Sequence, residues 1–360
     1  MKYLIIDSNN LAIRNSFSNA SLRSKNNLPS GVHYGTFNSL CSLKKNFSDY
    51  QFLMCWDGKS KRRISEANGA VKNGIVPSGY KENREKDVDK MPQPLKDFYQ
   101  EASYLQRAIN ELGIPQVRFQ DFECDDLIAS YVRLLKMNNE IVIVTSDEDY
   151  IQLLDDNVKI YDGMKMKMIS KDNWEIENGL KVSQFLDYSC LCGDVGDNII
   201  SINGIGEKTA IKEIKKYGTW QKTIEAYKIK YADSRKIFPD LKDPLLIKDN
   251  YDPKKIFEEL KNKKSEKGKI VYPDINFSMS YTGVLNAFDK ELLKIKATKT
   301  EIITLLFESR VALAYSLKKM DSDIPSLPEI KKLPFNKDRL LEYFRHYDIT
   351  TLDESICIFE

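Results

Sequence analysis

The sequence predicts an α/β fold, with a central, mostly parallel sheet, helices on both faces and a largely helical C-terminal region. Four short apolar runs carry this reading: Tyr3 to Ile6, Phe52 to Trp56, Val117 to Phe119 and Ile141 to Val144. They are partly β-branched and separated by helix-length periodic segments, an alternation that builds parallel strands joined by crossover helices. The second observation is that each run delivers acid at or just beyond its carboxyl end. In an open parallel sheet those ends line one crevice, the usual ligand site.

Met1 to Asp7 reads as a strand running straight into its acid, without the basic segment, apolar run and cleavage site of a signal peptide. Helices are expected over Val32 to Phe47, Lys96 to Leu112, Asp125 to Met137 and Val182 to Cys192. Val158 to Tyr161 and Lys165 to Ile169 flank Asp162-Gly163, a turn signal for a hairpin. Between Lys59 and Met91 periodicity fails and basic residues dominate, so this stretch reads as an irregular functional or disordered insertion. From Trp220 to Lys296 the chain is Lys-rich and Pro-spaced and tells least; helical signals return over Thr298 to Lys319 and Lys337 to Tyr347.

At 360 residues the chain is expected to hold about two to three domains, or one α/β domain with a large appendage. It is 42% hydrophobic and 30% charged, without an apolar run of roughly 18 residues, which excludes a membrane span and makes a cytoplasmic protein the default. Its six cysteines lack secreted-framework spacing and are expected as free thiols. Cys190-Leu-Cys192 has no second Cys pair and only His33 and His346 for company, so a structural zinc site is not expected. Net charge is only +2, but Lys59, Lys61, Arg62, Arg63, Lys72, Lys81, Arg84 and Lys86 gather in one segment, and Lys261 to Lys269 in another. A near-neutral total can therefore hide an acidic pocket beside basic tracks.

The acids are Asp7 after the first run, Asp57 after the second, Glu123, Asp125 and Asp126 after the third, and Asp147 and Asp149 after the fourth. Asp194 and Asp197, three apart in GDVGDN, can present oxygens to one side of a turn. Converging carboxylates take up protons or bind cations. All-oxygen ligands favour a hard ion, magnesium with manganese as a substitute, and nine acids exceed what one octahedral ion needs, so two ions about 4 Å apart are expected. Each acid also has a local alternative: Asp125 or Asp126 as a helix cap, Asp147 as the cap of a helix near Asp149, Asp194 as a turn starter. Asp121, Glu148, Asp155 and Asp156 fall beside the motifs and are read as solvated.

The ordered series Glu123-Cys-Asp-Asp126, TSDEDYIQLL from Thr145, GDVGDN from Gly193 and GIGEKTA from Gly204 resembles the signature of the 5′-nuclease family of flap endonucleases and 5′–3′ exonucleases. Within it, the likeness is to the nuclease domain of bacterial DNA polymerase I and to freestanding bacteriophage exonucleases. DSNNLAIR from Asp7, GVHYG from Gly31, WDGK around Asp57, YKENR from Tyr80 and GIPQV from Gly113 add to it. The likeness is dense from Met1 to about Tyr217 and thinner from about Arg310 to Leu352, where VALAYSLKKM and DRLLEYFRHYDITTL resemble closing segments.

The resemblance implies a resolvase-like, PIN-like core over 1–192 with a helical arch insertion at about 59–91. It implies a helical DNA-binding region over 193–360: a helix-turn-helix variant at about 193–219, a divergent segment at about 220–296 and closing helices at about 298–352. It makes all nine acids metal ligands, with Asp7, Asp57 and Asp126 also catalytic. Lys81 and Arg84 of the arch would clamp the scissile phosphate and Tyr80 would stack on a base; the alternative is a solvated loop in which they pair with Glu82 or Glu85. Gly204, Gly206, Lys208 and Thr209 would grip the duplex backbone at a helix start. The family binds a monovalent cation there, K+, but Ile200, Ser201 and Asn203 depart from its usual Pro- and Gly-containing run, which counts against that site.

The expected function is a structure-selective, two-metal 5′-nuclease cutting DNA at a 5′ single-stranded arm or 5′ end and removing flaps or RNA primers in replication. It is expected to be monomeric and freestanding, in a phage or similar setting, with a polymerase or single-strand-binding protein as possible partner. The rival readings are a PIN-like ribonuclease and a non-catalytic replisome scaffold.

Overall fold

The structure is a computed structural model that describes residues 1–73, 75–202, 205–226 and 305–360. The chain divides into two compact units. The first comprises Met1–Ser60, Glu85–Glu177 and Met320–Glu360, the second Lys61–Arg84 and Asn178–Lys319. This cuts across the expected division at residue 192. The closing segment returns to the first unit because Leu340 and Phe344 belong to its core.

Six strands make the sheet of the first unit: β1 (Lys2–Asp7), β2 (Gln51–Trp56), β3 (Gln116–Arg118), β4 (Glu140–Val144), β5 (Val158–Asp162) and β6 (Lys167–Ile169). Their order is β3-β2-β1-β4-β5-β6. The first five pair in parallel, and β6 closes the edge antiparallel to β5 as the hairpin signal predicts. Burial on both sides explains the nearly continuous apolar runs. Leu4, Ile6, Met54, Trp56, Val142 and Val144 face one cluster, which Phe37, Leu40, Phe98, Leu105, Leu340 and Phe344 complete. These come from the helices α2 (Ser30–Asn46) and α4 (Gln93–Glu111) and from the closing helix Lys337–His346. The alternate residues Ile5, Leu53 and Ile143 are fully buried. Helix α5 (Cys124–Leu135) packs on β1, β2 and β4 and buries Leu127, Ile128 and Tyr131.

A buried polar cluster ties the closing segment down. His33 of α2 meets Glu101 of α4 at 3.2 Å. The Tyr347 hydroxyl donates to the same carboxylate at 2.6 Å, and the Tyr343 hydroxyl lies 2.6 Å from His33 Nδ1.

The described helices of the second unit include α3 (Lys61–Lys72), α7 (Phe185–Cys192), α8 (Glu207–Tyr217) and α9 (Leu305–Lys318). Helix α3 lies where the sequence reads as irregular. Its buried positions are Arg63, Ala67 and Ala70, a face that apolar periodicity does not register. Helix α1 (Ser8–Ser18) and α6 (Lys171–Asn178) were likewise unmarked, and α10 is the closing helix Lys337–His346. The segment 227–296 and the first residues of the helix expected from Thr298 lie outside the described residues. Among the described residues no helix is long and apolar enough to cross a membrane.

Candidate active site

The sheet order places β1 between β2 and β4, so the chain builds outward to one side of β1 and then to the other. Such a switch opens a crevice at the carboxyl ends of the strands. Asp7 ends β1 at that point and is only 7% exposed. Its Oδ1 accepts the Asn10 N–H at 3.0 Å, capping α1, and its Oδ2 accepts the Tyr150 hydroxyl at 3.1 Å and the Thr145 hydroxyl at 3.4 Å. Burial, then the neighbouring Asp57 carboxylate and, more weakly, Asp147, push its pKa up to about 7, against the stabilising Asn10 N–H and Tyr150 hydroxyl.

The other acids of this unit are oriented by short-range donors too. Asp57 Oδ1 accepts the Cys124 N–H at 2.9 Å, joining the end of β2 to the start of α5. Gly58 makes this approach possible, since a Cβ there would lie 2.0 Å from the Phe119 carbonyl oxygen. Asp126, 1% exposed, accepts the Asp321 N–H at 2.7 Å. Asp125 accepts the Asp126 N–H at 2.8 Å, and Asp147 accepts the Asp149 N–H at 2.9 Å. Glu123 is buried directly before α5. Local capping and site-forming are therefore not alternatives here: a carboxylate that spends one oxygen on a backbone N–H has the other aimed.

The structure brings Asp7, Asp57, Asp125 and Asp147 close enough for their charges to act on Asp7 or on the Tyr150 hydroxyl between them. Among the described residues no three His, Cys, Asp or Glu side chains close to metal-ligand geometry, so the arrangement is convergence rather than chelation. The donor set still fits a hard divalent ion, being carboxylate oxygen throughout. The nearby thiols of Cys55 and Cys124 are buried and pushed well up by burial, and Cys124 donates to the Cys55 carbonyl at 3.0 Å.

Asp194 and Asp197 belong to the second unit, on the turn that follows α7. Gly193, at φ +73° and ψ −165°, starts it in a conformation that essentially only glycine adopts. The Asp194 and Ile199 backbones exchange hydrogen bonds at 2.8 and 2.7 Å, and Asp194 Oδ1 accepts the Asp197 N–H at 3.1 Å. Asp194 Oδ2 meets the Lys318 ammonium at 3.3 Å. Asp197 Oδ1 takes Arg84 at 2.5 Å, while its Oδ2 accepts the Tyr80 hydroxyl at 3.1 Å and lies 3.7 Å from Lys81.

Lys81 and Arg84 thus both meet the Asp197 carboxylate. Residues 80–84 form a turn instead of the helix that would align them, with Lys81 at φ +54°. The Lys81 N–H donates to the Asp197 carbonyl at 2.8 Å and Asn83 donates to the Val195 carbonyl at 2.7 Å, which holds the turn in place. The Tyr80 ring carries Lys81 Nζ 4.8 Å above its centre. Gly206 caps α8 with open space around it, Lys208 is exposed and Thr209 half-buried. Gly204 and Asn203, and with them the K+ question, lie outside the described residues.

Several functional contacts escaped sequence reasoning. Asn9 Oδ1 accepts the Asp57 N–H at 3.1 Å, and Asn10 Oδ1 accepts the Ser146 hydroxyl at 3.0 Å, so the two asparagines after Asp7 join the ends of β1, β2 and β4. Tyr150 and Lys318 were also unmarked. The signal for the asparagines and the tyrosine was their place inside the acid-bearing motifs; Lys318 lies in VALAYSLKKM, read only for its likeness to a closing segment.

A model of the 5′–3′ exonuclease N-terminal resolvase-like domain matches residues 2–179, and one of the 5′–3′ exonuclease C-terminal SAM fold matches residues 180–265. A 5′–3′ exonuclease of Bacillus subtilis is 30% identical over 232 residues, covering 62% of this chain and 73% of that protein. DNA polymerase I of Caldicellulosiruptor bescii is 31% identical over 235 residues, 62% of this chain but 25% of the polymerase, so the chain spans about a quarter of that relative's length. The catalytic core of Rad2 in complex with DNA substrate shares the fold at a TM-score of 0.58 and 15% identity, covering 100% of this chain and 93% of that one. The bacteriophage T5 D15 flap endonuclease, in a pseudo-enzyme-product complex with DNA and metal ions, does so at 0.51 and 16%, covering 100% and 99%. With two adjoining domain models and a relative covered over most of its length, the chain belongs to the 5′–3′ exonuclease family.

Proposed function

We propose that the protein is a structure-selective 5′-nuclease that hydrolyses phosphodiester bonds of DNA at a 5′ single-stranded arm or 5′ end. The observation that carries this reading is the crowding around Asp7: carboxylates from separate strand ends converge on a buried one whose pKa rises to about 7, an anionic site that divalent cations complete. In the first unit Asp7, Asp57, Glu123, Asp125, Asp126, Asp147 and Asp149 would hold magnesium, or manganese in its place, in a two-ion mechanism; within the second unit Asp194 and Asp197 would be metal ligands as well. Such ions supply an activated water and a polarised phosphoryl oxygen.

The chain's own residues do the rest. Asn10 and Tyr150 hold Asp7, and the Cys124 N–H and Asn9 hold Asp57, so that their oxygens need not reorganise during reaction. Arg84, more than half exposed, and Lys81 can exchange Asp197 for the scissile phosphate and offset its developing charge. Water attacks phosphorus in line, the bond to the 3′-oxygen breaks, that oxygen leaves as the 3′-hydroxyl of the released 5′ piece, and the downstream strand keeps the phosphate at its new 5′ end. Gly206, Lys208 and Thr209 at the start of α8 contact the duplex backbone, so shape is read in place of sequence and binding weakens with salt. Removal of flaps or RNA primers in replication, beside a polymerase, is the task; relatives named DNA polymerase I contain a matching segment, which supports it.

The test is cleavage of an end-labelled 5′-flap duplex beside the matching single strand and blunt duplex, each with magnesium and with chelator. Magnesium-dependent cutting at the junction, preferred over both controls, is the expected result. Folded protein that cuts none of the three sinks the reading and moves it to an RNA substrate or a scaffold.

A further inference from the structure

Lys318 stands in the last turn of α9 and its side chain is only 5% exposed, unusual for a lysine. Its ammonium lies 3.3 Å from Asp194 Oδ2, and its charge also reaches Cys190 and Cys192 at the end of α7. The helix end that carries it is fastened. Arg62 of α3 donates to the Ser316 carbonyl at 2.8 Å and to the Lys319 carbonyl at 2.7 Å, a cation on orphan carbonyls of the α9 C-terminus. The Ser316 hydroxyl donates to Glu66 of α3 at 2.6 Å.

The two carboxylates of the turn therefore have cations of different kinds. Asp197 is met by Arg84 and Lys81, with side chains 56% and 24% exposed, which are able to swing toward another anion. Asp194 is met by a lysine sealed between helices. A buried ammonium at salt-bridge distance cannot leave without exposing itself or stranding its partner. Whatever occupies this turn shares it with one permanent positive charge.

We infer that Lys318 is a positioning and specificity-determining residue of the Asp194–Asp197 turn: a built-in cation that fixes Asp194, lowers the turn's net charge from two negatives to one, and so weakens its hold on a divalent ion. The inference rests on the proposed role of Asp194 and Asp197 as metal ligands. Its physical basis is plain. A fixed positive charge a few ångströms from the ion repels it, and the low effective dielectric of a buried contact leaves that repulsion poorly screened. The consequence is a turn that takes its ion firmly only when a substrate phosphate adds negative charge, so that metal loading follows DNA binding.

The experiment is titration of full-length protein with Mn2+ alone, followed by calorimetry and by the paramagnetic resonance signal of free Mn2+. It compares wild type, Asp197→Asn, Lys318→Met and Lys318→Arg, with melting curves of each. Wild type minus Asp197→Asn isolates the site on the turn. Lys318→Met keeps the apolar stem and removes the charge; it is expected to tighten that site about tenfold or more and to enlarge the metal-induced rise in Tm. Lys318→Arg, which keeps the charge, is expected to stay near wild type and guards against a mere packing defect. If Lys318→Met leaves the affinity of the isolated site unchanged, or weakens it, Lys318 is structural and the inference falls alone. If wild type and Asp197→Asn bind Mn2+ identically, the turn holds no ion, and both this inference and the metal role of Asp197 fall together.

Discussion

The two groups of acids meet the same problem in different ways. In the first unit Asp7 is buried, is met by a backbone N–H and two hydroxyls, and is pushed toward protonation by Asp57 and Asp147. In the second unit Asp194 and Asp197 are partly exposed, 34% and 23%, and are met by Lys318, Lys81 and Arg84. One group stores its repulsion in the fold; the other has it offset by cations of the chain. In the proposed function, strain of the first kind would be released by a divalent ion, whereas the second kind would have to be exchanged for one. The first group should therefore show itself in stability and the second in binding.

The largest effect is expected from Asp7→Asn. Cleavage of the 5′ flap should fall by at least ~10³-fold, since an oriented anion at the reaction centre is lost. The same variant should be more stable than wild type when both are metal-free, because a buried, repelled carboxyl has been replaced by a neutral group; melting curves in chelator check this. A variant both inactive and less stable would remove the claim that this group holds stored repulsion. Next in size, Lys81→Ala and Arg84→Ala should each lower kcat by on the order of 10²-fold with little change in metal-free stability, because in the proposed function both residues act on substrate charge. Equal losses of stability and activity would make them latches for Asp197 instead.

Gly193→Ala sharpens the comparison from the side of the second unit. An added Cβ would lie 2.5 Å from the Ile199 carbonyl oxygen, at a backbone conformation that L side chains rarely adopt. It should cost about 2–4 kcal/mol in chemical denaturation and displace Asp194. The effect comes from geometry rather than charge, so it should not vary between pH 5 and 8.

The first unit should vary with pH. Asp7 keeps its proton to about pH 7 in the native state, whereas the unfolded chain releases it near the ordinary aspartate value of 3.8. Between those values the native state binds more protons, so this group's contribution to stability is fully present below about 3.8 and is lost as pH rises through about 7. His33, whose pKa is lowered by burial, works the other way below its ordinary value. The difference between wild type and Asp7→Asn cancels His33 and leaves the Asp7 slope. In chelator that difference should widen from pH 5 to pH 8; saturating magnesium should abolish it. A difference flat with pH in chelator would mean that Asp7 is ionised throughout.

The sheet was legible because both its faces are buried. The strands β1, β2 and β4 then read as nearly unbroken apolar runs, and Asp7, Asp57 and Asp147 stand out beyond them as charges against an apolar background. Helix α3 was implied by the resemblance but not legible in periodicity, since its buried face is Arg63, Ala67 and Ala70 and its neighbours are paired by side-chain chemistry. The acids could be listed from the sequence, but not the way they are held. Asp57 is fixed by the N–H of Cys124, 67 positions on, and Asp194 by a lysine 124 positions on, pairings that no local pattern encodes. The return of Leu340 and Phe344 to the first unit is a topological fact of the same kind.

The smallest effect is expected from Tyr150→Phe, and it tests how the first group is held together. The hydroxyl donates to Asp7 Oδ2 from a side chain that is 1% exposed, so its loss removes one hydrogen bond and adds no solvent. A hydrogen bond to an ionised acceptor is worth about 1.5–3 kcal/mol, and one between neutral groups about 1 kcal/mol. Asp7 is neutral well below pH 7 and ionised above it, so in chelator the loss in stability should be larger at pH 8 than at pH 5. With saturating magnesium the carboxylate is ionised at both values, and the loss should be the same at both. A loss that is equal at pH 5 and 8 without metal would show that Tyr150 stabilises the fold by packing alone, and that the buried carboxylate is held by the Asn10 N–H and the Thr145 hydroxyl without it.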